Sequence, residues 1–265
     1  SAWKQGYRDK DKKINRSGGE EVLDRILGVL RVAKGVDFGL YKRSTVRRRI
    51  LRRMALREIA SADKYLQVLN TEKREIDQLY EDILIHVTSF FREPAVFKDL
   101  KSIIYPRILK NRSPDAPIRI WVPGCSTGEE AYSHAINLVE FLGKQAAHVP
   151  FQIFATDVNP GVIEKARLGL YPRKIKAEVS ADRLRNFFTA TKDGYRIVPF
   201  IREHCLFAAK NLLQDPPFIN LDLISCRNLL IYLGPELQEK ALRIFQYAAK
   251  SRGLLMLGRS EGIGD

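Results

Sequence analysis

Short apolar segments of strand length alternate with helical patterns over residues 118–257, and this alternation restricts the fold more than any other feature. The apolar segments lie at residues 118–122, 151–155, 221–225 and 254–257. Helical patterns lie between them at residues 131–142 and 161–168 and from Pro235 onward, a proline that suits a first helical position. Because strands that alternate with helices form parallel sheets covered on both faces, the sequence predicts an α/β domain.

Between the second and third of these strands, residues 175–210 depart from the alternation. A capped helix is predicted at residues 180–188, and short alternating strands are predicted at 195–198 and 205–208. We interpret this segment as a small antiparallel β subdomain inserted into the α/β domain.

Residues 17 to about 100 carry helical periodicity without strands. Ser17 and Glu20 have the spacing of a capping box, and Ser61 and Thr71 stand where the N-caps of two later helices are expected. Residues 1–16 are polar and show no period. We therefore predict a flexible lead at 1–16, an N-terminal helical domain at 17–100 with a linker to about residue 115, and the α/β domain at 116–265.

The positive charge of the chain is concentrated near its N-terminus. The formal net charge is +14, and residues 1–60 hold 17 basic and 7 acidic side chains, a balance of +10. Eight basic residues and no acid occur within residues 42–57. The excess therefore describes a local surface that faces a partner and not the fold as a whole. Tyr41 is the one aromatic residue beside this run, which argues against binding of single-stranded nucleic acid.

The composition excludes several classes of protein. Hydrophobic residues make up 45% of the chain, enough to bury a core. No apolar run approaches the ~18 residues of a membrane helix. The three cysteines are too few for a disulfide scaffold, which makes a reducing cytoplasm the expected compartment. No C-x-x-C or H-x-x-x-H spacing occurs, so we predict no metal site.

The segment after the first strand has the composition of a ligand-binding turn. Gly124 and Gly128 let the backbone approach a ligand closely, and the following helix offers unpaired N–H donors. The turn lacks the lysine of a phosphate-binding loop, and Glu129 and Glu130 would repel phosphate. Asp157 ends the next strand, where doubly wound folds bind ribose hydroxyls. One interpretation is a nucleoside with no phosphate at this turn, and the other is a structural turn with a helix-capping aspartate.

Polar residues also follow the third strand. Cys226, Arg227 and Asn228 stand where open α/β sheets bind ligands, and Tyr232 lies one helical turn beyond Asn228. Arg92, which precedes the α/β domain, is a further candidate for a functional charge. The alternative interpretation is that Arg227 pairs with a local acid and that Tyr232 is a core tyrosine.

Together these segments resemble the CheR-type chemotaxis receptor methyltransferases, and most of all the methyltransferase half of CheB–CheR fusion proteins. The motifs that carry the resemblance occur in order at residues 88–92, 124–132, 155–157 with 164–171, 211–213 and 225–232. The resemblance implies a Rossmann-like methyltransferase sheet behind an N-terminal helical domain. It also implies S-adenosylmethionine as methyl donor, a chemoreceptor glutamate as acceptor, and S-adenosylhomocysteine as product.

The resemblance implies site residues position by position. Arg92, Arg227 and Tyr232 would be the catalytic residues that orient carboxylates. His86 stands where stand-alone members usually have asparagine. The cofactor contacts that the resemblance implies are His86, Thr88, Arg92, Gly124, Glu130, Asp157, Asn211, Leu212, Cys226 and Arg227.

The resemblance also implies that the N-terminal helical domain faces the acidic cytoplasmic helices of a chemoreceptor. We therefore expect Arg47, Arg48, Arg52 and Arg53 to contact the receptor. Residues 189–194 form a short loop compared with members that hold a receptor's C-terminal peptide, so we expect no peptide tether. The chain ends before the closing antiparallel strands of this fold, and we expect either a truncation or a fragment of a longer fusion protein.

The chemistry implied here needs no general base, because a glutamate with an ordinary pKa of about 4.3 is ionised near pH 7. The absence of a Ser-His-Asp pattern is therefore expected. Two other functions stay open: a nucleic-acid methyltransferase that uses the basic helix, and a non-catalytic sensor that binds S-adenosylmethionine.

Overall fold

The computed structural model describes residues 18–84, 88–110, 112–113 and 116–262, and this part of the chain divides into two compact units. The first unit holds residues 18–84 and 232–238, and the second holds the remaining described residues. The predicted lead at 1–16 and the predicted cap Ser17 lie outside the described residues. Among the helices of the described residues, none is long and apolar enough to cross a membrane.

The described residues of the first unit form the helices α1 (Gly18–Lys34), α2 (Arg43–Leu56), α3 (Ala62–Thr71) and α4 (Lys73–Ile83). Ile26, Val46, Ile50 and Leu79 are at most 2% exposed, so the apolar stripes of α1, α2 and α4 face a common interior. The predicted N-terminal all-helical architecture is confirmed.

The two predicted helix caps in this unit have different outcomes. Ser61 is the N-cap residue of α3 as predicted, although its side chain makes no capping hydrogen bond. The N-cap prediction for Thr71 is wrong, because Thr71 is the last residue of α3. Its hydroxyl donates to the carbonyl oxygen of Gln67 at 3.1 Å, which satisfies a carbonyl in the last turn. The helix α4 begins only at Lys73.

The second unit contains most of the remaining elements. The helices are α5 (Pro94–Asp99), α6 (Tyr105–Lys110), α7 (Glu129–Leu142), α8 (Pro160–Leu168), α9 (Ala181–Phe187), α10 (Pro199–Glu203) and α11 (Pro235–Ala248), of which residues 235–238 group with the first unit. The strands are β1 (Ile118–Pro123), β2 (Phe151–Asp157), β3 (Leu170–Tyr171), β4 (Phe188–Thr191), β5 (Gly194–Ile197), β6 (Cys205–Ala209), β7 (Leu221–Cys226) and β8 (Ala249–Leu257). A π-helical segment, Leu100–Ile104, joins α5 to α6.

A parallel sheet forms the centre of the second unit. In the part of the chain that the structure describes, its strand order is β6-β2-β1-β7-β8, and every neighbouring pair is parallel. Ile120, Ile153 and Ile224 are fully buried, as expected for strands covered on both faces. The predicted α/β sheet is confirmed. Because the strands are parallel, their carboxyl ends all lie at one edge, which we call the carboxyl edge.

The prediction that residues 205–208 belong to the antiparallel insertion is wrong. Cys205–Ala209 forms β6, which pairs in parallel with β2 and lies at one edge of the main sheet. The small antiparallel sheet has the order β3-β5-β4 and includes Leu170–Tyr171, which precedes the predicted subdomain. The alternation that suggested an antiparallel strand arises because β6 is an edge strand. Its Cys205 and Phe207 are buried, while Leu206 is 43% exposed.

Among the described residues, the first unit ends at residue 84 and the second begins at residue 88, so residues 88–100 group with the sheet. Helices α5 and α6 have the same periodicity as the helices before them, but they pack on the sheet. Phe97, Leu100 and Tyr105 belong to one buried cluster with Ile118 and Ile136. Helical periodicity shows that a segment has an apolar face, but it does not show which core receives that face.

Candidate functional site

Loops that follow the strands meet at the carboxyl edge. Residues 124–128 follow β1, Asp157 ends β2, residues 210–215 follow β6, and residues 227–231 follow β7. These are the positions where the sequence predicted ligand contacts, so the sheet brings the predicted segments to one side of the second unit. This is the side where open α/β folds bind their ligands.

The turn after β1 depends on both of its glycines. Gly124 has φ +68° and Gly128 has φ +95°, backbone angles that other residues rarely adopt. A Cβ on Gly128 would lie 3.0 Å from the Cβ of Ala166 and 3.1 Å from the hydroxyl oxygen of Tyr171. A Cβ on Gly124 would lie 3.2 Å from the side chain of Leu229. The turn is therefore tightly packed, and glycine is the residue that fits both positions without strain.

Asp157 connects this turn to the end of β2. Its carboxylate accepts hydrogen bonds from the backbone N–H of Ser126 at 2.9 Å and of Asn159 at 3.0 Å. The N-cap of α8 is Asn159, so Asp157 is not the cap of that helix. The Asp157 carboxylate therefore joins the turn after β1 to the start of α8 at the carboxyl edge.

Glu130, in the first turn of α7, contacts the end of β7. The Ser225 hydroxyl donates to its Oε1 at 2.5 Å, and the Nε2 of His134 lies 3.9 Å from the same oxygen. The Glu130 side chain is only 17% exposed. This arrangement places a hydrogen-bonded carboxylate beside the glycine turn, where it could receive a cationic group.

Glu129, the neighbouring carboxylate, lies in a more strongly desolvated position. Burial raises its pKa, while the hydroxyl of Thr127, which donates to both of its oxygens at 2.9 and 2.7 Å, opposes that change. Two adjacent glutamates at one turn therefore have different environments. The sequence pattern alone gave no way to tell them apart.

The thiols of Cys125 and Cys226 are fully enclosed. Burial raises the pKa of both thiols well above the ordinary value, and nearby carboxylates raise it further. The two thiols therefore stay protonated at neutral pH and are poor nucleophiles. Cys226 ends β7 at the carboxyl edge, as the cofactor prediction requires, but its side chain is completely buried.

Arg227 is the most informative residue of the site. Its side chain is 1% exposed, and its Nη2 donates to the carbonyl oxygen of Arg92 at 2.9 Å and to Glu93 Oε2 at 3.0 Å. Arg227 therefore pairs with an acid, as in the alternative interpretation, although that acid is not local but 134 residues away along the chain. Yet its Nε and Nη1 have no hydrogen-bond partner within the described residues. Because an unsatisfied buried donor costs about 1–3 kcal/mol, these two N–H groups are suited to an anionic group of a ligand.

The segment before α5 is held in an unusual backbone conformation. Phe91 has φ +51° and Glu93 has φ +60°, in the left-handed region that only a few per cent of such residues adopt. The N–H of Phe91 donates to Ser133 Oγ at 2.9 Å, and the N–H of Phe90 donates to Glu178 Oε2 at 2.9 Å. These bonds tie the segment that carries Arg92 to α7 and to the β insertion.

The remaining predicted cofactor residues belong to the segment before α5 and to the loop after β6. Thr88 is half-buried, and His86 lies outside the described residues. Asn211 and Leu212 are half-buried in the loop after β6, where Asn211 Oδ1 accepts from the N–H of Leu213 at 3.0 Å. The N–H of the preceding Lys210 donates to the carbonyl oxygen of Asp157 at 2.8 Å, so this loop starts beside the end of β2.

Tyr232 is grouped with the first unit and not with the loops of the carboxyl edge. It ends the 3₁₀ turn Leu230–Tyr232, and its carbonyl oxygen accepts a hydrogen bond from the N–H of Lys42 at 3.0 Å. Its expected role toward an acceptor carboxylate stays a prediction.

The arginines of α2 divide into two groups. Several are engaged inside the first unit: Arg43 with Asp24, Arg47 with Glu20, Arg53 with Glu75, and Arg57 with Glu72. Arg48 and Arg52 are exposed, one helical turn apart, and the described residues offer them no ion pair. Of the four arginines expected to contact a partner, Arg48 and Arg52 are therefore the two that are exposed and take no part in these ion pairs of the described residues, and their contact with an acidic partner stays a prediction.

Arg53 is held most firmly of these residues. Its Nε and Nη2 donate to the two oxygens of Glu75 at 2.9 and 2.7 Å, and the hydroxyl of Tyr65 donates to Glu75 Oε1 at 2.8 Å. The hydrogen bond that Arg53 donates to Glu75 raises the pKa of Arg53. Because Glu75 is fully buried, Arg53 also serves to neutralise a charge inside the helical unit.

Sequence reasoning missed two carboxylates. Glu93 binds Arg227, and Glu261 accepts hydrogen bonds from the backbone of residues 228, 230 and 258. Neither lies in a sequence pattern that indicates such a role. Glu93 is 134 residues from Arg227 along the chain, and Glu261 is up to 33 residues from its partners. Only the proximity of Glu93 to Arg92 could have drawn attention to it.

Comparison with known proteins gives matches over nearly the whole chain. The family model for the SAM binding domain of CheR methyltransferases matches residues 86–265, and the model for their all-alpha domain matches residues 21–84. A chemotaxis protein methyltransferase of Listeria monocytogenes is 31% identical over 86% of this chain and 85% of its own length. Chemotaxis protein methyltransferase 2 of Pseudomonas aeruginosa is 33% identical over 86% of this chain and 81% of its own length.

A longer relative occurs in Rhodobacter capsulatus. This protein, described as an uncharacterized 104.1 kDa protein in the hypE 3'region, is 41% identical over 92% of this chain, and the chain spans only 26% of its length. Among solved structures, a SAM-dependent methyltransferase from Thiobacillus denitrificans in complex with S-adenosylhomocysteine matches with a TM-score of 0.35 and 13% identity, over 65% of this chain and 50% of that one. The sequence matches carry more weight than this distant likeness.

Proposed function

The chain belongs to the CheR methyltransferase family, and from that premise we propose that it transfers the methyl group of S-adenosylmethionine to glutamate side chains of chemoreceptors. The SAM binding domain at residues 86–265 confirms the cofactor predicted from the sequence. The observation that supports the proposal most is the buried guanidinium of Arg227, with two unpaired N–H groups at the carboxyl edge. We also propose that the protein acts in the cytoplasm, where the receptor helices are.

The charges of the carboxyl edge fit the methionine end of the cofactor, which carries both a carboxylate and an ammonium group. Arg227 is suited to the carboxylate because its Nε and Nη1 are buried and unpaired. Glu130 is suited to the ammonium group because its carboxylate is held by Ser225 and is mostly buried. We place Thr88 and Arg92 near the same end of the cofactor.

The rest of the pocket fits the nucleoside. Asp157 ends β2 beside the turn that holds Gly124, the position where doubly wound folds bind ribose hydroxyls, and we propose it for that contact. Asn211 and Leu212 follow β6, the neighbour of β2, which is where an adenine beside that ribose would lie. When bound, S-adenosylmethionine supplies a methyl group on a sulfonium that a carboxylate oxygen can displace.

The protein's own part in the reaction is to bind and orient. A glutamate acceptor is ionised near neutral pH, so the site needs no base to activate it. Correct placement of two reactants can lower a barrier by about 7–11 kcal/mol. Arg92 and Arg227 carry the charges that can orient carboxylates, and we propose Tyr232 for the acceptor carboxylate. The protonated thiols of Cys125 and Cys226 do not compete as nucleophiles.

We propose that α2 docks the protein on the acidic receptor helices. Arg48 and Arg52 are exposed and one turn apart, so they can reach acids with the same spacing on a partner helix. Arg47 and Arg53 lie on the same helix but are engaged with Glu20 and Glu75. Arg47 and Arg53 would therefore contribute to docking by holding α2 in place within the first unit.

The proposal is tested by calorimetry with S-adenosylhomocysteine and by methyl transfer to receptor-containing membranes. Wild-type protein is expected to bind S-adenosylhomocysteine, and Asp157→Ala is expected to bind it at least tenfold more weakly, as loss of one or more hydrogen bonds to hydroxyls predicts. Asp182→Ala, which removes an exposed carboxylate of α9, is the control and should bind normally. The methylated receptor should release methanol in base, as a glutamate methyl ester does.

The other possible results distinguish the main proposal from the two alternative functions. No binding of S-adenosylhomocysteine by wild type would contradict the main proposal. Binding without transfer to receptors would favour a sensor. Strongly salt-dependent binding of RNA or DNA would favour a nucleic-acid methyltransferase.

A further inference from the structure

Glu261 lies just beyond β8 and accepts hydrogen bonds from two separate backbone segments. Its Oε2 accepts from the N–H of Gly258 and of Asn228, both at 2.8 Å. Its Oε1 accepts from the N–H of Leu230 at 2.7 Å and more weakly from that of Ile231 at 3.4 Å. One carboxylate therefore joins the end of β8 to the loop after β7, which we call the 227–231 loop.

The 227–231 loop places side chains on two sides of the carboxyl edge. Arg227 extends to the backbone of Arg92 and to Glu93, and Leu229 packs where a Cβ on Gly124 would lie. Asn228 between them has φ +60°, a left-handed conformation that asparagine adopts more readily than other residues with a side chain. The hydrogen bonds to Glu261 fix the backbone on both sides of this residue.

The N–H groups of the loop have a carboxylate as their hydrogen-bond acceptor. Those of Asn228 and Leu230 converge on one point together with the N–H of Gly258, and such converging donors form an anion-binding concavity. Here the chain's own carboxylate occupies that concavity. Gly258 leaves room for it, since a Cβ at that position would lie 2.7 Å from Glu261 Oε2.

The segment that carries Glu261 also approaches the partner of Arg227. Arg259 Nε lies 3.9 Å from Glu93 Oε2, the same oxygen that accepts from Arg227. Residues 258–261 thus contact both the loop that carries Arg227 and the acid that orients it.

We propose that Glu261 is a positioning residue for the methyl transfer. It holds the 227–231 loop so that the unpaired N–H groups of Arg227 face the cofactor and Leu229 supports the turn at Gly124. The inference rests on the proposed function, because it assigns Glu261 to the cofactor site of that reaction.

The test uses Glu261→Ala in the full chain and formate as a replacement for the lost carboxylate. The variant is expected to bind S-adenosylhomocysteine about tenfold or more weakly, since an ionic hydrogen-bonding centre is lost. Added sodium formate should restore the affinity and the methyl-transfer rate in a concentration-dependent way, because it can occupy the concavity. Sodium chloride at equal ionic strength should not. Glu239→Ala, which removes an exposed acid of α11, is the control and should bind as wild type does, with or without formate.

A second variant, Glu261→Gln, decides the matter if Glu261→Ala does not fold. The amide offers one acceptor oxygen and places an NH₂ group against the other pair of N–H donors, so its affinity should also fall, and formate should not restore it because the side chain fills the space. Either variant binding with the wild-type Kd would overturn the proposal. So would a folded Glu261→Ala whose weak binding is unaffected by formate. If wild type itself does not bind S-adenosylhomocysteine, the proposed function fails before Glu261 is tested.

Discussion

Arg227→Met is the substitution that tests the site most directly. Methionine keeps much of the length and apolar volume of the arginine side chain but removes the guanidinium. Two hydrogen bonds are lost in the free protein, to the carbonyl oxygen of Arg92 and to Glu93. Bonds to charged groups contribute about 1.5–3 kcal/mol each.

We expect the total loss of stability to be no larger than two bonds at the low end of that range would give. Glu93 is 26% exposed, so water can hydrate it once its partner is gone. We therefore expect the free energy of unfolding to fall by about 2–3 kcal/mol. For a chain of this size that corresponds to a decrease in Tm of roughly 5–10 °C.

We also expect Arg227→Met to weaken the affinity for the cofactor strongly. If the Nε and Nη1 of Arg227 hold the cofactor carboxylate, the substitution removes two charge-assisted bonds. At about 1.4 kcal/mol per factor of ten, the Kd for S-adenosylhomocysteine should rise about 100-fold or more. Calorimetry measures the Kd, and circular dichroism measures the Tm of the same sample.

Arg167→Met is the matched control. Arg167 donates from Nε and Nη2 to the carbonyl oxygen of Phe207 at 3.2 and 2.8 Å, so its substitution also costs stability. It lies on α8 and has no buried unpaired N–H group within the described residues, so the Kd should not change. If folded Arg227→Met binds S-adenosylhomocysteine with the wild-type Kd, the inference that its free N–H groups face the cofactor is refuted.

Three further predictions concern the turn, its buried acid and the docking helix. Gly128→Ala should destabilise the protein by about 2–4 kcal/mol, because its φ of +95° is unfavourable and its Cβ would crowd Ala166; an unchanged denaturation midpoint would contradict this. Burial raises the pKa of Glu129 above its ordinary value of 4.5, so the stability of the wild type falls as the pH rises above 4.5. The difference in Tm, Glu129→Gln minus wild type, should therefore be larger at pH 8 than at pH 4. Arg48→Glu with Arg52→Glu should slow receptor methylation several-fold at low salt while S-adenosylhomocysteine binding stays constant, and an unchanged rate would rule out docking through this face.

The sequence was sufficient for the α/β class and for β1, β2 and β7 of the sheet. Local hydrophobic patterns determine where these strands begin, because an apolar run must be buried wherever it lies in the fold. Once the strands are parallel, the residues that follow them must share one edge. Gly124, Asp157 and Arg227 could therefore be placed at the carboxyl edge from the sequence.

Tertiary structure decided the features that depend on distant segments. The assignment of Cys205–Ala209 to the main sheet rests on pairing with β2, and an edge strand has the same alternation as a strand of a small antiparallel sheet. Helices α5 and α6 likewise show an apolar face whose destination only packing reveals.

The same limit applies to charges. A run of arginines in the sequence does not show that Arg53 packs against the buried Glu75 while Arg48 remains exposed, since Glu75 comes from another helix. Glu93 and Glu261 have no motif, and they become significant only when folding brings them to Arg227 and to the loop behind it. Strand and helix patterns are local properties of the chain, whereas the partner of a buried charge is chosen by the packing of elements far apart in sequence, and that packing is what only the tertiary structure determines.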